Sequence, residues 1–143
     1  MGTYDKVRIT VLIEDIRKYF SDLEKTPVRN LADLQDTSNY YALSMILFQL
    51  INRAIDLGDE LVSAENLGMP GTYKNIFQRL LKAKIISAGL YEELYKLVRI
   101  RNLIAHEYET LTEKDIYAAF HKVRAINQLI EIVKARSNGK RGS

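Results

Sequence analysis

Between Arg99 and Glu109 the chain reads Arg-Ile-Arg-Asn-Leu-Ile-Ala-His-Glu-Tyr-Glu, and several of these side chains could do chemistry together. An imidazole ordinarily titrates near pH 6.5, so His106 can take or give a proton at neutral pH. The guanidinium of Arg101 can grip an oxyanion with two parallel hydrogen bonds and offset charge developing on it. Asn102 can orient the imidazole or bind a phosphate, and Tyr108 offers a phenolic hydroxyl. On a helix turning about 100° per residue, Leu90, Leu94, Leu97, Arg101, Ala105 and Tyr108 fall within about 60° of one another. Arg101 and Tyr108 therefore sit on an apolar stripe, where an arginine is costly unless it is paired or faces a cleft. Asn102 and His106 are one turn apart on the adjacent flank, about 5–6 Å between Cβ atoms. Arg101 and His106 stand about 140° apart on an ideal helix, which is awkward for joint action. Either the helix loosens near His106, or groups from two subunits complete one site. Spacing alone leaves open an ordinary packed Arg–Asn–His–Tyr cluster.

Few other residues compete for a role. There is no cysteine, which excludes disulfides, thiol catalysis and thiolate metal sites. With His106 and His121 as its two histidines, the chain is not expected to hold a dedicated metal site or a cofactor. His121 falls off the apolar stripe of its helix and reads as solvated. Lys96 and Arg99, with Lys122 and Arg124, are candidates for a basic rim that touches nucleic acid, although long cations are usually just solvated. Asp56, Asp59 and Glu60 form an acidic cluster that reads as a solvated face, with a cation or a partner as the alternative. The run Asn66-Leu67-Gly68-Met69-Pro70-Gly71, followed by Lys74, matches no phosphate-loop spacing and has no strand before it, so it reads as a connector.

Five helical segments must position these residues. The first runs from about Tyr4 to Glu24, with Ile9, Leu12, Ile16, Tyr19 and Leu23 on one face, and Thr26-Pro27 stops it. The second starts at a Thr37-Ser38 cap and reaches about Glu65. Its Tyr40–Ile51 half is apolar nearly all round, which requires cover on several sides, at the centre of a bundle or in a dimer interface. Gly58 inside it reads as a weak spot costing about 1 kcal/mol relative to alanine. A third covers about Thr72 to Lys82, and a fourth runs from near Ser87 to about Tyr108. The fifth starts at Thr112, with Glu113 and Asp115 suiting the dipole, and continues through Val133 to Arg136. The expected architecture is an all-α, antiparallel bundle of four to five helices in a single domain over residues 1–136, with a flexible basic tail over 137–143.

The 143 residues are 47% hydrophobic and 27% charged, the balance of one folded domain. Of 21 basic side chains four fall in the last ten residues, leaving 17 against the 18 acidic ones. The net charge of +3 is thus a property of the tail, and any nucleic acid must be held by a local patch. No signal peptide is visible, and the longest apolar stretch, Tyr40–Ile51, is too short to span a bilayer. A cytoplasmic protein without a membrane segment is expected.

Arg101-x-x-x-x-His106-x-Tyr108, with Asn102 after the arginine, resembles the signature of HepT toxins in the HEPN (higher eukaryotes and prokaryotes nucleotide-binding) superfamily. The runs Leu50–Asp59, Asn66–Pro70 with Tyr73, and Lys84–Ser87 are similar to that family as well, so the resemblance spans about residues 5–133. It implies a metal-independent ribonuclease toxin working as a homodimer, with Arg101 and His106 of both subunits lining one cleft. It also implies a cognate MNT-type nucleotidyltransferase antitoxin that silences the toxin by transferring AMP from ATP to Tyr108. RNA carries its own nucleophile, the 2′-hydroxyl. The protein then need supply only a base, an acid and positive charge on the phosphate, the expected products being a 2′,3′-cyclic phosphate and a 5′-hydroxyl. A non-catalytic helical module that binds a nucleotide or a partner in the same cleft is the alternative.

Overall fold

A computed structural model describes residues 3–139, among which there is no strand. Six α-helices form among these residues, each starting where a side chain satisfies the free N–H groups of the first turn or where a tight turn leads in. Asp5 caps α1 (Lys6–Glu24) by accepting from the Arg8 N–H. A short 3-10 turn, Leu31–Gln35, leads into α2 (Thr37–Ala64), which is capped by Asp36 accepting from Asn39 N–H and not by the expected Thr37-Ser38 pair. Thr72 caps α3 (Tyr73–Lys82) and Ser87 caps α4 (Ala88–His106). Thr112 opens α5 (Glu113–Lys122) with a full capping box, its hydroxyl and the Asp115 carboxylate each accepting the other residue's N–H.

The expected fifth helix is broken in two. A 3-10 turn at Val123–Ala125 separates α5 from α6 (Ile126–Ser137). The buried residues here are Ile116, Ala119, Val123, Ile126, Leu129, Ile130 and Val133. The tighter turn between the two helices keeps buried side chains of both on the core, with Val123 inside the turn itself fully buried. The helix ends at Ser137, one residue past the expected boundary, and the basic tail residues Lys140 and Arg141 lie outside the described residues.

α2 is the axis of the molecule and packs against α1, α3, α4, α5 and α6. That explains its near-continuous apolar run: Leu43, Leu47, Leu50, Ile51, Leu57 and Leu61 are essentially inaccessible. The central position proposed for this helix is therefore realised within one subunit. Tyr41 and Met45 remain as exposed apolar residues on its free face. Gly58 is a contact point and not a weak spot, since a Cβ there would lie 2.8 Å from Phe77 Cε1 and 3.1 Å from Ile76 Cγ2. No helix among the described residues is long and apolar enough to cross a membrane.

Candidate nuclease site

Arg101 points from α4 toward α2 and α3, where three kinds of partner hold it. Its Nε donates to Asn52 Oδ1 at 2.8 Å, and its Nη1 donates to Asn102 Oδ1 at 3.2 Å. The guanidinium also lies over the Phe48 ring (5.2 Å to the centroid) and the Tyr73 ring (4.8 Å). An arginine clamped in this way, half-buried and facing no carboxylate in these contacts, keeps its positive charge and still has N–H groups to spare for an anion. Phe48 and Asn52 come from the free edge of α2 and Tyr73 from the first turn of α3. The spacing within α4 gave no sign of these three residues, since a clamp from other helices leaves no local pattern.

Asn102, which accepts from the arginine, precedes His106 on α4. The two are one turn apart, as expected, and both line a cavity of about 650 Å³. The cavity opens between α2 (Ile55, Asp56, Asp59), the 70–76 segment, which enters α3, and the C-terminal end of α4. His106 is exposed at its mouth and also borders a second hollow, formed with Ala105 and residues 107–110. Arg101 itself does not line the cavity, whereas Tyr73, which it covers, does. Within the chain, then, Asn102 and His106 share a cavity, and Arg101 stands outside its lining, bonded to Asn102 and covering Tyr73. The expected angular separation of Arg101 and His106 persists, because α4 remains helical through both.

Tyr108 is placed differently from expectation. α4 stops at His106, Glu107 leaves helical geometry (φ −134°, ψ 46°), and Tyr108 begins a 3-10 turn, Tyr108–Thr110. It therefore leaves the stripe of Arg101 and does not sit one helical step beyond it. Its ring stacks on Tyr41 (centroids 6.1 Å apart, planes at 13°) and meets Tyr40 edge-on at 6.3 Å. This contact with the start of α2 is the physical reason the helix ends: two aromatic partners favour the ring where the helix would not carry it. Burial against these rings pushes the Tyr108 hydroxyl above its usual range, and the neighbouring Tyr40 and Tyr41 hydroxyls add to the effect. Tyr108 still exposes 39% of its surface.

The basic-rim candidates do not converge on the cavity. Arg99 pairs with Asp115 of α5 at 3.6 Å. Lys96 is exposed on the preceding turn, and Lys122 pairs with Glu93 at 3.6 Å. Asp56 accepts from Arg53 Nη1 at 2.9 Å, and burial raises its carboxyl while Arg53 opposes the shift.

Residues 9–136 match the family model described as HepT-like ribonuclease. Among curated proteins, an mRNA nuclease HepT of Shewanella oneidensis is 24% identical over 102 residues, covering 71% of this chain and 77% of that protein. A tRNA nuclease HepT of Aphanizomenon flos-aquae is 27% identical over 120 residues, 83% of this chain and 82% of that one. Among solved structures, YutE of Bacillus subtilis, described as a cytosolic protein of unknown function, superposes with a TM-score of 0.81 at 19% identity, over 100% of this chain and 97% of that one. A tri-AMPylated HEPN toxin of Shewanella oneidensis, solved in complex with an MNT antitoxin, superposes with a TM-score of 0.65 at 22% identity, over 90% and 92%. At these identities the structural likeness is one of fold.

Proposed function

The chain belongs to the HepT-like ribonuclease family, and from that premise we propose that it is a metal-independent endoribonuclease and the toxin of a toxin–antitoxin pair. The observation that carries this reading is the clamped Arg101 beside an Asn102–His106 pair at the mouth of an open cavity. A fixed guanidinium stabilises the crowded phosphate of the transition state, because its orientation is set before the charge develops. His106 takes the proton from the 2′-hydroxyl as that oxygen attacks phosphorus, or gives one to the departing 5′-oxygen. One imidazole cannot do both in a single displacement, so the second histidine comes from a second copy of the chain. Arg101 and His106 of both protomers would then line one cleft. Lys96 and Arg99, which do not line the cavity, would meet only RNA that extends beyond it.

The names of the curated relatives, one an mRNA nuclease and one a tRNA nuclease, support the activity while differing in the RNA. The Shewanella complex supports an MNT-type nucleotidyltransferase as partner and AMP transfer as the means of silencing. On this chain the acceptor would be Tyr108: its phenolic oxygen attacks the α-phosphorus of ATP, pyrophosphate leaves, and the antitoxin takes the phenolic proton. The modified side chain would set a phosphate and a nucleoside two residues from His106, where they repel RNA and fill the cleft.

Purified protein incubated with labelled RNA in excess chelator tests the reaction. Cleavage that persists in chelator, ends in 2′,3′-cyclic phosphate and disappears in His106→Ala and with 2′-O-methyl RNA is expected. RNA binding without cleavage, unchanged in His106→Ala, would point instead to the non-catalytic module. Incubation with the antitoxin and ATP should add about 329 Da per AMP, and Tyr108→Phe should add nothing.

A further inference from the structure

Three carboxylates, Asp56, Asp59 and Glu107, line the cavity beside the histidine proposed for catalysis, and the two on α2 need a reason. Asp56 and Asp59 line the same cavity as His106, and either would repel a phosphodiester drawn into it. Among the described residues no three His, Asp or Glu side chains group closely enough to hold an ion. At about 650 Å³ the cavity also far exceeds an ion and has room for a nucleoside. Its remaining walls combine the polar Thr72, Asn102, His106 and Glu107 with Ile55, Ile76 and the Tyr73 ring. Carboxylates facing an aromatic wall suit a flat ligand whose edge carries N–H donors.

We propose that this cavity is a base-recognition subsite that seats a guanine of the RNA strand beside the scissile phosphate, with Asp56 and Asp59 reading its edge. The inference rests on the ribonuclease reading and adds the base that the enzyme prefers. Single-stranded RNA offers its Watson–Crick edges to a protein. Guanine alone presents two adjacent donors there, N1–H and the N2 amino group, which match the two oxygens of a carboxylate. Adenine and cytosine offer an amino group next to a ring-nitrogen acceptor that a carboxylate repels, and uracil offers one N–H between two carbonyls. Arg53 fixes the Asp56 carboxylate by donating to Oδ2 at 2.9 Å, which leaves Oδ1 for a ligand. Asp59, one turn further along α2, is exposed and is the more accessible of the two. The Tyr73 ring completes the arrangement, since it lines the cavity while the Arg101 guanidinium covers it at 4.8 Å. A phosphate on Arg101 and a base in the cavity would thus be separated by one ring, as in a nucleotide whose backbone follows the basic side and whose base turns toward the acidic side.

Two measurements test this separately from the nuclease reading. The first is binding of guanosine, inosine and uridine to the wild-type protein, followed by titration calorimetry. Guanosine should bind about tenfold or more tightly than uridine, with inosine, which lacks the N2 amino group, between them. Asp59→Asn, which replaces one acceptor by a donor, should bring guanosine and uridine to within about twofold. The second is cleavage of RNAs that carry a single G, A, C or U in an otherwise constant sequence, where kcat/KM should favour G in the wild type and lose that bias in Asp59→Asn. Equal binding of guanosine and uridine, or a preference unchanged in Asp59→Asn, overturns the proposal. Selective guanosine binding with no cleavage of any RNA keeps the subsite and removes the nuclease. Cleavage indifferent to the base, with equal nucleoside binding, keeps the nuclease and removes the subsite.

Discussion

Asn52 sits 49 positions before Arg101 in the chain and meets its guanidinium directly. Its carboxamide oxygen fixes the Nε edge, so the outer N–H groups project from a single rotamer. Truncation in Asn52→Ala should release the side chain and lower kcat/KM about tenfold through misplacement. Asn52→Asp should do worse than alanine, although it is nearly isosteric, because an added carboxylate would neutralise the guanidinium that the proposed mechanism sets against the phosphate. Steady-state kinetics on folded variants check this, and an Asp variant as active as wild type would remove Asn52 from the positioning machinery. The tyrosine corner gives a second expectation at this scale. Burial and the Tyr40 and Tyr41 rings hold the Tyr108 hydroxyl in its neutral form to higher pH than usual. A raised acid falls back when its causes are removed. Tyr41→Ala should therefore move the Tyr108 midpoint down toward the ordinary value near 10, as followed by ultraviolet absorbance against a Tyr108→Phe blank. An unchanged or higher midpoint would contradict the stacked arrangement.

The helices show how far local patterns reach. Capping residues Thr72, Ser87 and Thr112 stand where the sequence places them, and the buried faces of α1 and α3 follow their apolar periodicity. Those signals are local and survive folding unchanged. What was not legible comes from contacts between distant segments. No glycine or proline separates Arg101 from Thr112, so nothing in the sequence marks the end of α4 at His106; the Tyr40 and Tyr41 rings, from the start of α2, draw Tyr108 out. The Asn52 clamp on Arg101 was hidden for the same reason, and the Asn102–His106 pair was visible because it lies within one turn. Gly58 gives the sharpest test at this level. Helix propensity predicts that Gly58→Ala stabilises by about 1 kcal/mol. The contact with Phe77, itself fully buried, predicts the opposite, a loss of about 1–3 kcal/mol from overpacking. Thermal unfolding decides the sign, and Phe77→Leu in the Gly58→Ala background should recover part of the loss where it would lower stability alone.

At the scale of the molecule, one subunit holds an arginine in one layer and a histidine in another, with one imidazole for two proton transfers. Tyr41 and Met45 are exposed on α2, on the face that carries Phe48 and Asn52 of the Arg101 clamp, and the proposed shared cleft requires a second copy to bring its own arginine and histidine there. A self-complementary contact of this kind would make the dimer the functional unit, and its activity would then depend on composition in a definite way. Wild-type protein and His106→Ala, unfolded together and refolded at equal amounts, should reassort at random. If each transfer needs its own histidine, only wild-type homodimers cut RNA, and activity falls to about a quarter of that of the same total protein as wild type. If each subunit works alone, activity falls to about a half, and the decline is linear in the wild-type fraction instead of quadratic. A quadratic curve, together with specific activity that rises with protein concentration until the dimer is saturated, is the outcome required by a cleft shared across a symmetry axis. A linear curve would return both proton transfers to one subunit and require a second acid or base, for which Glu107 at the rim of the same cavity is the nearest candidate by position.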